Sequence, residues 1–397
     1  MIVTSLLDTD LYKFTMGQAV FLRYPEATAC FHFRCRNGSG LPRGREDAFL
    51  ADLGEEIRAF CSLGLTNQEL AFLRGLGLFS EPFLEWMRLS RPNPDHVRFG
   101  KSPEGSLALT VEGPWFAAIY FEVPLLAIIN ELYIRHALDG EPDLAEARAR
   151  LARKIDRIRT YNAESAYGPL SFVNFGTRRR ASFAWEEEVH RTLVQALPGS
   201  FTGTSNLHFA MKLGIRPMGT MAHEWVQAHQ QLGGSLEKHQ QAAFETWAGV
   251  YRGKLGIAIS DTVGMEAFLR NFDGYLARLF DGCRQDSGDP FAWTDRLLGH
   301  YRALGLDPGT KTAVYSDGLD VETMIRIHRH VAGRMRTAFG IGTNLTNDIG
   351  LAAQDIVIKM VSLNGRPTAK ISDSPGKGMC DDETFLAYMR SVFGIAP

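Results

Sequence analysis

The amino-acid sequence predicts an α/β protein: an irregular βα barrel of the TIM type, joined to an α+β domain. Between Asn174 and Asn344, seven apolar runs each end in a polar, mostly glycine-bearing cluster, and a helical pattern follows most of them. Buried parallel strands deliver reactive side chains to one rim of a barrel in this way. In order, the clusters read NFGTRRR, TGTSN, GTMAHE, ISDT, RQDSGDP, YSDGLD and FGIGTN. The length of 397 residues exceeds the roughly 250 that a barrel needs, which leaves room for a second domain.

The first 125 residues do not show this alternation, and their patterns predict α+β structure. The spacing of apolar residues favours helices over residues 12–23 and 48–60. Alternating apolar residues favour strands over residues 28–34 and 107–111, and we expect a further strand over residues 115–121 after a Gly-Pro turn.

The elements of the barrel follow a long amphipathic helix that the pattern places at residues 143–162. The elements that the pattern indicates are a strand at 171–175, a helix from Phe183 to Leu193, a helix at 236–251, a strand at 255–259, a helix at 291–304 and a strand at 312–315.

Beyond Asp348 the pattern returns to strands, at residues 356–361 and 368–371, and to a last helix at 382–393. We expect this tail to pack on the N-terminal region, because the barrel is already complete. The predicted domains are therefore residues 1–125 plus 349–397, with α+β structure, and residues 126–348, the barrel that carries the active site.

The composition is that of an ordinary globular protein and excludes several classes of function. Hydrophobic residues make up 45% and charged residues 22%, and the net charge of −2 predicts neither a nucleic-acid nor a membrane partner. The most apolar stretch, residues 115–129, is interrupted by Glu122 and Pro124 and is too short to span a bilayer. Five cysteines without a C-x-x-C pair favour a reducing compartment, and no signal peptide is evident. We expect a cytoplasmic protein.

The run FGTRRR, residues 175–180, follows the first barrel strand and precedes a helix. Adjacent arginines at a helix N-terminus oppose the helix dipole, a cost that a bound anion removes. Solvated arginines on a helix that begins later are the alternative. The position favours anion binding for Arg178, and less so for Arg180.

One histidine, His223, lies at a predicted strand end in the segment GTMAHEW. The run HEWVQ lacks the second histidine of H-E-x-x-H, which excludes a zinc-protease site. Asp261, from the next strand, is available to hold one imidazole nitrogen and leave the other free as base or nucleophile. A structural or surface histidine is the alternative.

Carboxylate and guanidinium groups recur after the later strands. In RQDSGDP, Asp286 could bind ribose hydroxyls or Mg²⁺ while Arg284 contacts phosphate. Asp317 occupies a similar place in YSDGLD, and Gly342 and Thr343 lie in FGIGTN, where consecutive amides can approach a phosphate. A salt bridge within a loop is the alternative for the first cluster, but the recurrence favours an active site that handles phosphate.

Together these segments resemble the nicotinate phosphoribosyltransferase family along nearly the whole chain. The segments that carry the resemblance are LLDTDLYKFTM, FGTRRR, GTSN, GTMAHEW, DSGDP, YSDGLD, FGIGTNLTND and KISDSPGK. The resemblance implies the irregular barrel of the type II phosphoribosyltransferases. It also implies conversion of nicotinate and phosphoribosyl pyrophosphate to nicotinate mononucleotide and pyrophosphate, a step of NAD salvage. ATP hydrolysis would be coupled to this step, with ATP as co-substrate and Mg²⁺ as cofactor.

The resemblance implies roles for the residues of the nicotinate and ATP sites. His223 resembles the histidine that ATP transiently phosphorylates, and Asp261 would orient its imidazole. Phe175 resembles the aromatic residue that stacks on the pyridine ring. Tyr12 resembles the partner on the opposite ring face, which the family supplies from the other subunit, so a homodimer with shared active sites is expected.

The remaining roles concern anions and the sugar. Arg178 would contact the anionic part of the substrate, and Arg284 and Asp286 would hold phosphate and ribose. The residues that would complete the phosphoribosyl pocket are Asp317, Gly342 and Thr343.

Ser205 bears on the choice of substrate. The related nicotinamide phosphoribosyltransferase has an aspartate at this place, which accepts from the amide. A carboxylate there would repel nicotinate, whereas the Ser205 hydroxyl can donate to it. The same relative has a glutamate before its histidine, whereas here Ala222 precedes His223 and Glu224 follows it.

Several other functions remain as alternatives. A barrel lyase or aldolase would need a Schiff-base lysine or metal ligands, and no lysine is evident at the predicted strand ends before Asp348. A quinolinate-type phosphoribosyltransferase would need a more basic pocket and no phosphorylated histidine, and Ser205 disfavours a nicotinamide-type enzyme. A catalytically silent nucleotide-binding relative would not need the combination of His223, Asp261, Arg284 and Asp286.

Overall fold

The computed structural model describes residues 1–138, 140, 142–232, 234–374 and 376–395. The strands in this part of the chain form two sheets. They are β1 (Thr28–Cys35), β2 (Val97–Lys101), β3 (Leu107–Pro114), β4 (Phe172–Asn174), β5 (Phe201–Thr204), β6 (Ile257–Ile259), β7 (Gly282–Gln285), β8 (Thr312–Tyr315), β9 (Arg336–Ile341), β10 (Ile356–Leu363) and β11 (Arg366–Pro367).

α-Helices pack on both sheets. They are α1 (Leu11–Arg23), α2 (Glu46–Cys61), α3 (Asn67–Gly75), α4 (Glu81–Leu89), α5 (Trp115–Ala118), α6 (Glu122–Leu138), α7 (Ala145–Glu164), α8 (Phe183–Ala196), α9 (Leu207–Leu213), α10 (His223–Ala228), α11 (His239–Tyr251), α12 (Met265–Asn271), α13 (Gly274–Leu279), α14 (Pro290–Ala303), α15 (Val321–Val331), α16 (Thr343–Thr346) and α17 (Glu383–Phe393).

The barrel is built on six parallel strands in the order β5-β4-β9-β8-β7-β6. An irregular segment lies between the two edge strands. Thr204 on β5 donates its backbone N–H to Arg216 and accepts one from Met218, and the Thr220 hydroxyl donates to the Ile257 carbonyl on β6 at 3.0 Å. The predicted α/β fold with an irregular barrel is confirmed.

The segment GTMAHE is not a strand end, contrary to the prediction. Pro217, which carries no N–H, forms only an isolated bridge with Thr204, so no regular ladder develops there. His223 is instead the first residue of α10. It still reaches the rim, because the irregular segment crosses between the two edges of the parallel sheet.

The second sheet is antiparallel, in the order β11-β10-β1-β3-β2. Its central strand β1 pairs with β3 on one side and with β10, from the C-terminal tail, on the other. Phe31 and Phe33 of β1 are buried, and His32 and Arg34 point the other way. The tail therefore completes the N-terminal sheet, as expected; the exact domain boundaries stay a prediction.

Residues 115–121 do not form a strand, contrary to the prediction: β3 runs on to Pro114, and α5 and α6 follow. An apolar run that is buried on all sides has no period to distinguish strand from helix. Pro124 lies in the first turn of α6, where backbone N–H groups have no acceptor within the helix, so proline costs the helix no hydrogen bond. By length and composition Trp115–Leu138 could cross a membrane, but 89% of its apolar window is buried inside the protein, as in a core helix.

The predicted strand at residues 368–371 is also wrong. Only an isolated bridge forms there, between Lys370 and Met379, because neighbouring backbone groups bond elsewhere. The Ala369 N–H donates to Gln230 Oε1 at 2.8 Å, and the Ile371 N–H donates to the Thr262 carbonyl at 2.8 Å. These bonds attach the tail to the barrel and bring Lys370 to its rim.

We expect the free energy of unfolding to fall as the pH is lowered from 7 to 5. Burial lowers the pKa of four histidines, His190, His223, His229 and His239, to about 4. Their pKa is near 6.5 in the unfolded state, so between pH 6.5 and 4 the unfolded state binds more protons than the folded state. The free energy of unfolding therefore falls as the pH falls through that window. Each contributes on the order of 2 kcal/mol between pH 7 and 5.

Denaturant unfolding at several pH values measures this slope, and a His229→Gln variant should flatten it. Burial raises the pKa of Glu186 to about 7 and also raises the pKa of Asp10, Glu131, Glu224, Asp317 and Asp373, which acts in the opposite direction and makes the slope less steep. A free energy of unfolding that stays constant from pH 7 to 5 would contradict the prediction.

Candidate active site

The structure brings ten of the eleven predicted site residues to one cavity of about 350 Å³ at the carboxyl ends of the parallel strands. They are Tyr12, Phe175, Arg178, Ser205, His223, Arg284, Asp286, Asp317, Gly342 and Thr343. The eleventh, Asp261, is buried behind the cavity wall and contacts His223. Segments far apart in the chain thus meet as the strand-end pattern predicts.

The imidazole of His223 is held by a carboxylate on one side. Its Nε2 lies 2.8 Å from Asp261 Oδ1 and 3.7 Å from Asp286 Oδ2, and the residue is 4% exposed. Burial lowers the pKa of His223 to about 4 against the opposing effect of Asp261, so the ring is neutral at pH 7. When Nε2 donates its proton to Asp261, Nδ1 carries the lone pair of this cavity-lining ring.

Asp261 is an ionised orienting group. Burial raises its pKa, but its contacts with His223 and Lys370 outweigh burial and hold the pKa well below its ordinary value. Lys370 Nζ lies 3.0 Å from Asp261 Oδ2, and the Ser287 hydroxyl donates to the same oxygen at 2.7 Å. The carboxylate is thus fully engaged by the protein.

His223, Asp261 and Asp286 offer three ligand atoms within 4.8 Å of one another, which could suggest a metal site. Mg²⁺ prefers oxygen ligands, and the oxygens of Asp261 are already taken by His223, Lys370 and a hydroxyl. Asp286, whose Oδ1 accepts from the Ser316 hydroxyl at 2.7 Å, is the member of this set that remains open to a cation. The residues therefore fit Mg²⁺ that arrives with a polyphosphate, rather than a metal held by the protein alone.

The ring of Phe175 forms one wall of the cavity, and glycine makes room for it. A Cβ at Gly340 would lie 2.2 Å from the Phe175 ring. Three residues further on, Arg178 sits in a short 3-10 turn, with its side chain 39% exposed and Nη1 3.4 Å from Glu122 Oε1. An aromatic wall and an accessible guanidinium therefore lie in the same part of the cavity.

Arg284 carries an unused donor. Its Nε is buried and has no hydrogen-bond partner among the described residues. A buried charged donor without a partner is costly, and a ligand anion in the cavity would satisfy it. Gly342 and Thr343, which follow β9, line the same cavity. Together with Arg284 they could bind phosphate.

Sequence reasoning missed four cations from outside the barrel that line the same cavity. Arg36, Lys359, Lys370 and Lys377 all come from the antiparallel sheet or the tail. Burial and the neighbouring Lys370 lower the pKa of Lys359 to about 7, and Lys377 forms an ion pair with Asp317. A lone lysine in the buried strand IVIKMVSL was the available signal for Lys359, since unpaired lysines are rarely buried. The quoted segment KISDSPGK contains the other two lysines, but no role was assigned to it.

Tyr12 lines the cavity of its own chain, and the expected supply of this tyrosine by the other subunit stays a prediction. The N-terminal segment is attached to the barrel directly before α1. The Leu11 N–H donates to the Ser205 carbonyl at 2.7 Å, and Asp10 forms a bridge with Asn206. These bonds place the tyrosine ring beside the cavity.

Ser205 lines the cavity but does not offer a free proton, which corrects the predicted donation to the substrate. Its hydroxyl donates to Asp10 Oδ1 at 2.6 Å and lies 3.3 Å from the Asn174 carbonyl. Asp10 also lines the cavity, and burial raises its pKa. The carboxyl group of Asp10 therefore lies beside Ser205 in the cavity. The difference between serine here and aspartate in the nicotinamide enzyme does not by itself explain a preference for nicotinate over nicotinamide.

The three arginines of FGTRRR have three different surroundings. Arg178 faces the cavity, and Arg179 donates to Asp355 Oδ1 at 2.5 Å near the cavity edge. Arg180 is fully buried in an ion pair with Asp8 and does not line the cavity.

Comparison with known proteins agrees with this site. Residues 7–130 match the nicotinate phosphoribosyltransferase (NAPRTase) N-terminal domain, and residues 170–396 match the nicotinate phosphoribosyltransferase (NAPRTase) family. The chain is 50% identical to the nicotinate phosphoribosyltransferase of Acidovorax sp. (strain JS42), over 100% of this chain and 99% of that protein. It is 48% identical to that of Burkholderia cenocepacia (strain HI2424), over 100% and 98% of the two chains.

Solved structures give the same result. The nicotinate phosphoribosyltransferase from Vibrio cholerae superposes with a TM-score of 0.94 at 34% identity, over 100% of this chain and 94% of that one. The enzyme from Porphyromonas gingivalis superposes with a TM-score of 0.92 at 35% identity, over 99% and 100% of the two chains. With the fold, the cavity and both family matches in agreement, this chain belongs to the nicotinate phosphoribosyltransferase family.

Proposed function

We propose that this chain converts nicotinate and phosphoribosyl pyrophosphate to nicotinate mononucleotide and pyrophosphate, coupled to ATP hydrolysis through a phosphohistidine at His223. The observation that carries the proposal is a single cavity that holds an aromatic wall and an accessible guanidinium, the unpaired Nε of Arg284, and an oriented, neutral imidazole. A binding protein has no use for that imidazole.

In the transfer step, the pyridine nitrogen of nicotinate bonds to C1 of the ribose as the bond from C1 to the pyrophosphate oxygen breaks. Pyrophosphate leaves with the bonding electrons. Phe175 and Tyr12 would hold the pyridine ring, and Arg178 its carboxylate. Arg284 would bind the departing phosphates, and Asp286 would stabilise the positive charge that develops on the ribose.

In the coupling step, His223 Nδ1 attacks the terminal phosphorus of ATP, and ADP leaves. Water later cleaves the nitrogen–phosphorus bond, which releases phosphate and restores the imidazole. While the phosphoryl group is present, it adds negative charge beside the ammonium of Lys370 and changes the balance of charge in the cavity. This change would link ATP turnover to the affinity for phosphoribosyl pyrophosphate.

Mg²⁺ would be held by Asp286 together with the oxygens of the bound pyrophosphate. It would neutralise part of the charge on that leaving group. The cationic side chains that the antiparallel sheet and the tail bring to the cavity would share this task.

We propose the expected homodimer with shared active sites, in which Tyr12 also lines the cavity of its own chain. We also propose a cytoplasmic location. All five cysteines are free, which fits a reducing compartment.

The decisive assay incubates the protein with phosphoribosyl pyrophosphate and nicotinate, nicotinamide or quinolinate, with and without ATP, and measures the mononucleotide. We expect product from nicotinate, in greater amount with ATP. No product from nicotinate under any condition would contradict the proposed function, and product from quinolinate would favour the rival enzyme.

Replacing Arg178 by glutamine should raise the KM for nicotinate by about 10–100-fold, the value of a charge-assisted hydrogen bond of roughly 1.5–3 kcal/mol. The KM for phosphoribosyl pyrophosphate should stay near that of the wild type. Steady-state kinetics in each substrate measures both constants. An equal rise in both would mean that Arg178 does not contact the nicotinate carboxylate.

A further inference from the structure

Lys13 is a buried cation that the steps above do not use. Its ammonium is 0% exposed and bridges two carboxylates, with Nζ 2.5 Å from Glu122 Oε2 and 2.5 Å from Glu224 Oε2. Burial acts to lower the pKa of Lys13, but the two carboxylates outweigh it and the pKa is raised, so the ammonium is charged at pH 7. A buried ammonium persists only where such partners replace its water shell.

The two carboxylates belong to different parts of the active site. Glu224 follows His223 directly on α10 and accepts from Trp115 Nε1 at 2.6 Å, so both of its oxygens are engaged inside the protein. Glu122 begins α6 and lines the cavity. Its second oxygen, Oε1, is the atom that lies 3.4 Å from Arg178 Nη1.

Glu122 is therefore shared unequally between two cations. Lys13 holds Oε2 with a short contact of 2.5 Å, whereas Arg178 makes one long contact to Oε1. An arginine and a carboxylate without a competitor favour two short, parallel bonds. With Lys13 in place, Glu122 holds the Arg178 guanidinium near the cavity through one long contact and leaves its other N–H groups free of Glu122.

We propose that Lys13 is a positioning residue for the acid substrate. By holding Glu122 Oε2, it prevents Glu122 from closing a two-bond ion pair with Arg178 and leaves the guanidinium free for the nicotinate carboxylate. This inference rests on the proposed role of Arg178. Other charges face the same place. The carboxyl groups of Asp10 and Asp286 act on Arg178, and Lys359 acts on Glu122 but forms no ion pair with it among the described residues.

The test is a set of three variants assayed with nicotinate, phosphoribosyl pyrophosphate and ATP. Lys13→Met should raise the KM for nicotinate about tenfold, equivalent to roughly 1.4 kcal/mol. The kcat and the KM for phosphoribosyl pyrophosphate should change by less than about threefold, since nothing at the sugar site is altered. Lys13→Arg, which can still bridge two carboxylates, should restore most of the affinity for nicotinate.

The Glu122→Gln variant tests whether Glu122 competes with nicotinate for Arg178 or whether the loss of Lys13 only damages the structure. The amide is a weaker partner for Arg178, so this variant should bind nicotinate at least as well as the wild type. The double variant Lys13→Met with Glu122→Gln should recover the wild-type KM, because the competitor and its restraint are both gone.

Two results from the variants that carry Glu122→Gln would overturn the inference. One is a Glu122→Gln variant with a KM for nicotinate about tenfold above the wild type, and this variant decides the matter even where Lys13→Met fails to fold. The other is a double variant as weak as Lys13→Met alone. If Arg178→Gln leaves the KM for nicotinate unchanged, the proposed role of Arg178 fails first. If Arg178→Gln raises it and Lys13→Met does not, only the role of Lys13 fails.

Discussion

Replacing His223 by alanine should abolish the stimulation of mononucleotide synthesis by ATP. Among the described histidines, His223 is the one that lines the cavity. Its imidazole is neutral at pH 7 and is oriented by Asp261 at 2.8 Å, so a ring nitrogen can act as the nucleophile. The expected loss is about 5–150-fold in kcat/KM with ATP, the usual range of coupling between two ligands. The ATP-independent rate should remain, because Phe175, Arg178 and Arg284 still bind the substrates.

The measurement pairs kinetics with a chemical readout. The wild type incubated with ATP that is labelled in the terminal phosphate should hold an acid-labile, base-stable phosphoryl group, and the variant should hold none. A matched control is His330→Ala, because His330 is partly exposed and does not line the cavity. ATP stimulation that survives in His223→Ala would refute the phosphohistidine.

Replacing Arg180 by methionine should destabilise the protein by about 3–5 kcal/mol, the usual cost of removing one partner of a buried ion pair. Its Nη1 and Nη2 donate to the two oxygens of Asp8 at 2.7 and 2.8 Å, and Nη1 also lies 3.3 Å from Glu186. All three side chains are 0% exposed. Without the guanidinium, the Asp8 carboxylate, which also ties the N-terminal segment to Asn206, is buried with no cation.

Urea unfolding of Arg180→Met and Arg178→Met provides a matched comparison. Arg178 is partly exposed and makes one long contact, so its loss should cost less than about 1 kcal/mol in stability. The two neighbours thus separate stability from substrate binding. Equal unfolding midpoints for both variants would show that the Arg180 cluster does not hold the N-terminal segment to the barrel.

The elements that the sequence predicted correctly depend on local patterns. The helix over residues 48–60 is observed as Glu46–Cys61, and the strand at Thr312–Tyr315 is observed with the same bounds. Strand-end clusters located the cavity, because parallel strands bring their carboxyl ends to one edge of a sheet. Residues 115–121 were mistaken for a strand, since full burial removes the periodicity on which such a prediction depends.

The failures within the site concern partners that lie far away in the chain. Ser205 has the expected position, but its proton goes to Asp10, 195 residues earlier. Lys359 enters from a strand of the other sheet. The spacing of residues along the chain cannot predict these contacts.

The sequence by itself determined the class of fold, the rim that carries the chemistry, and the family. These follow from the order and spacing of motifs, which can be recognised without knowledge of any contact. Only the tertiary structure decided which arginine of three adjacent ones faces substrate and which one holds the core, and which cation restrains Glu122. Burial and charge pairing are properties of space around a side chain, and they arise only when distant segments have packed together.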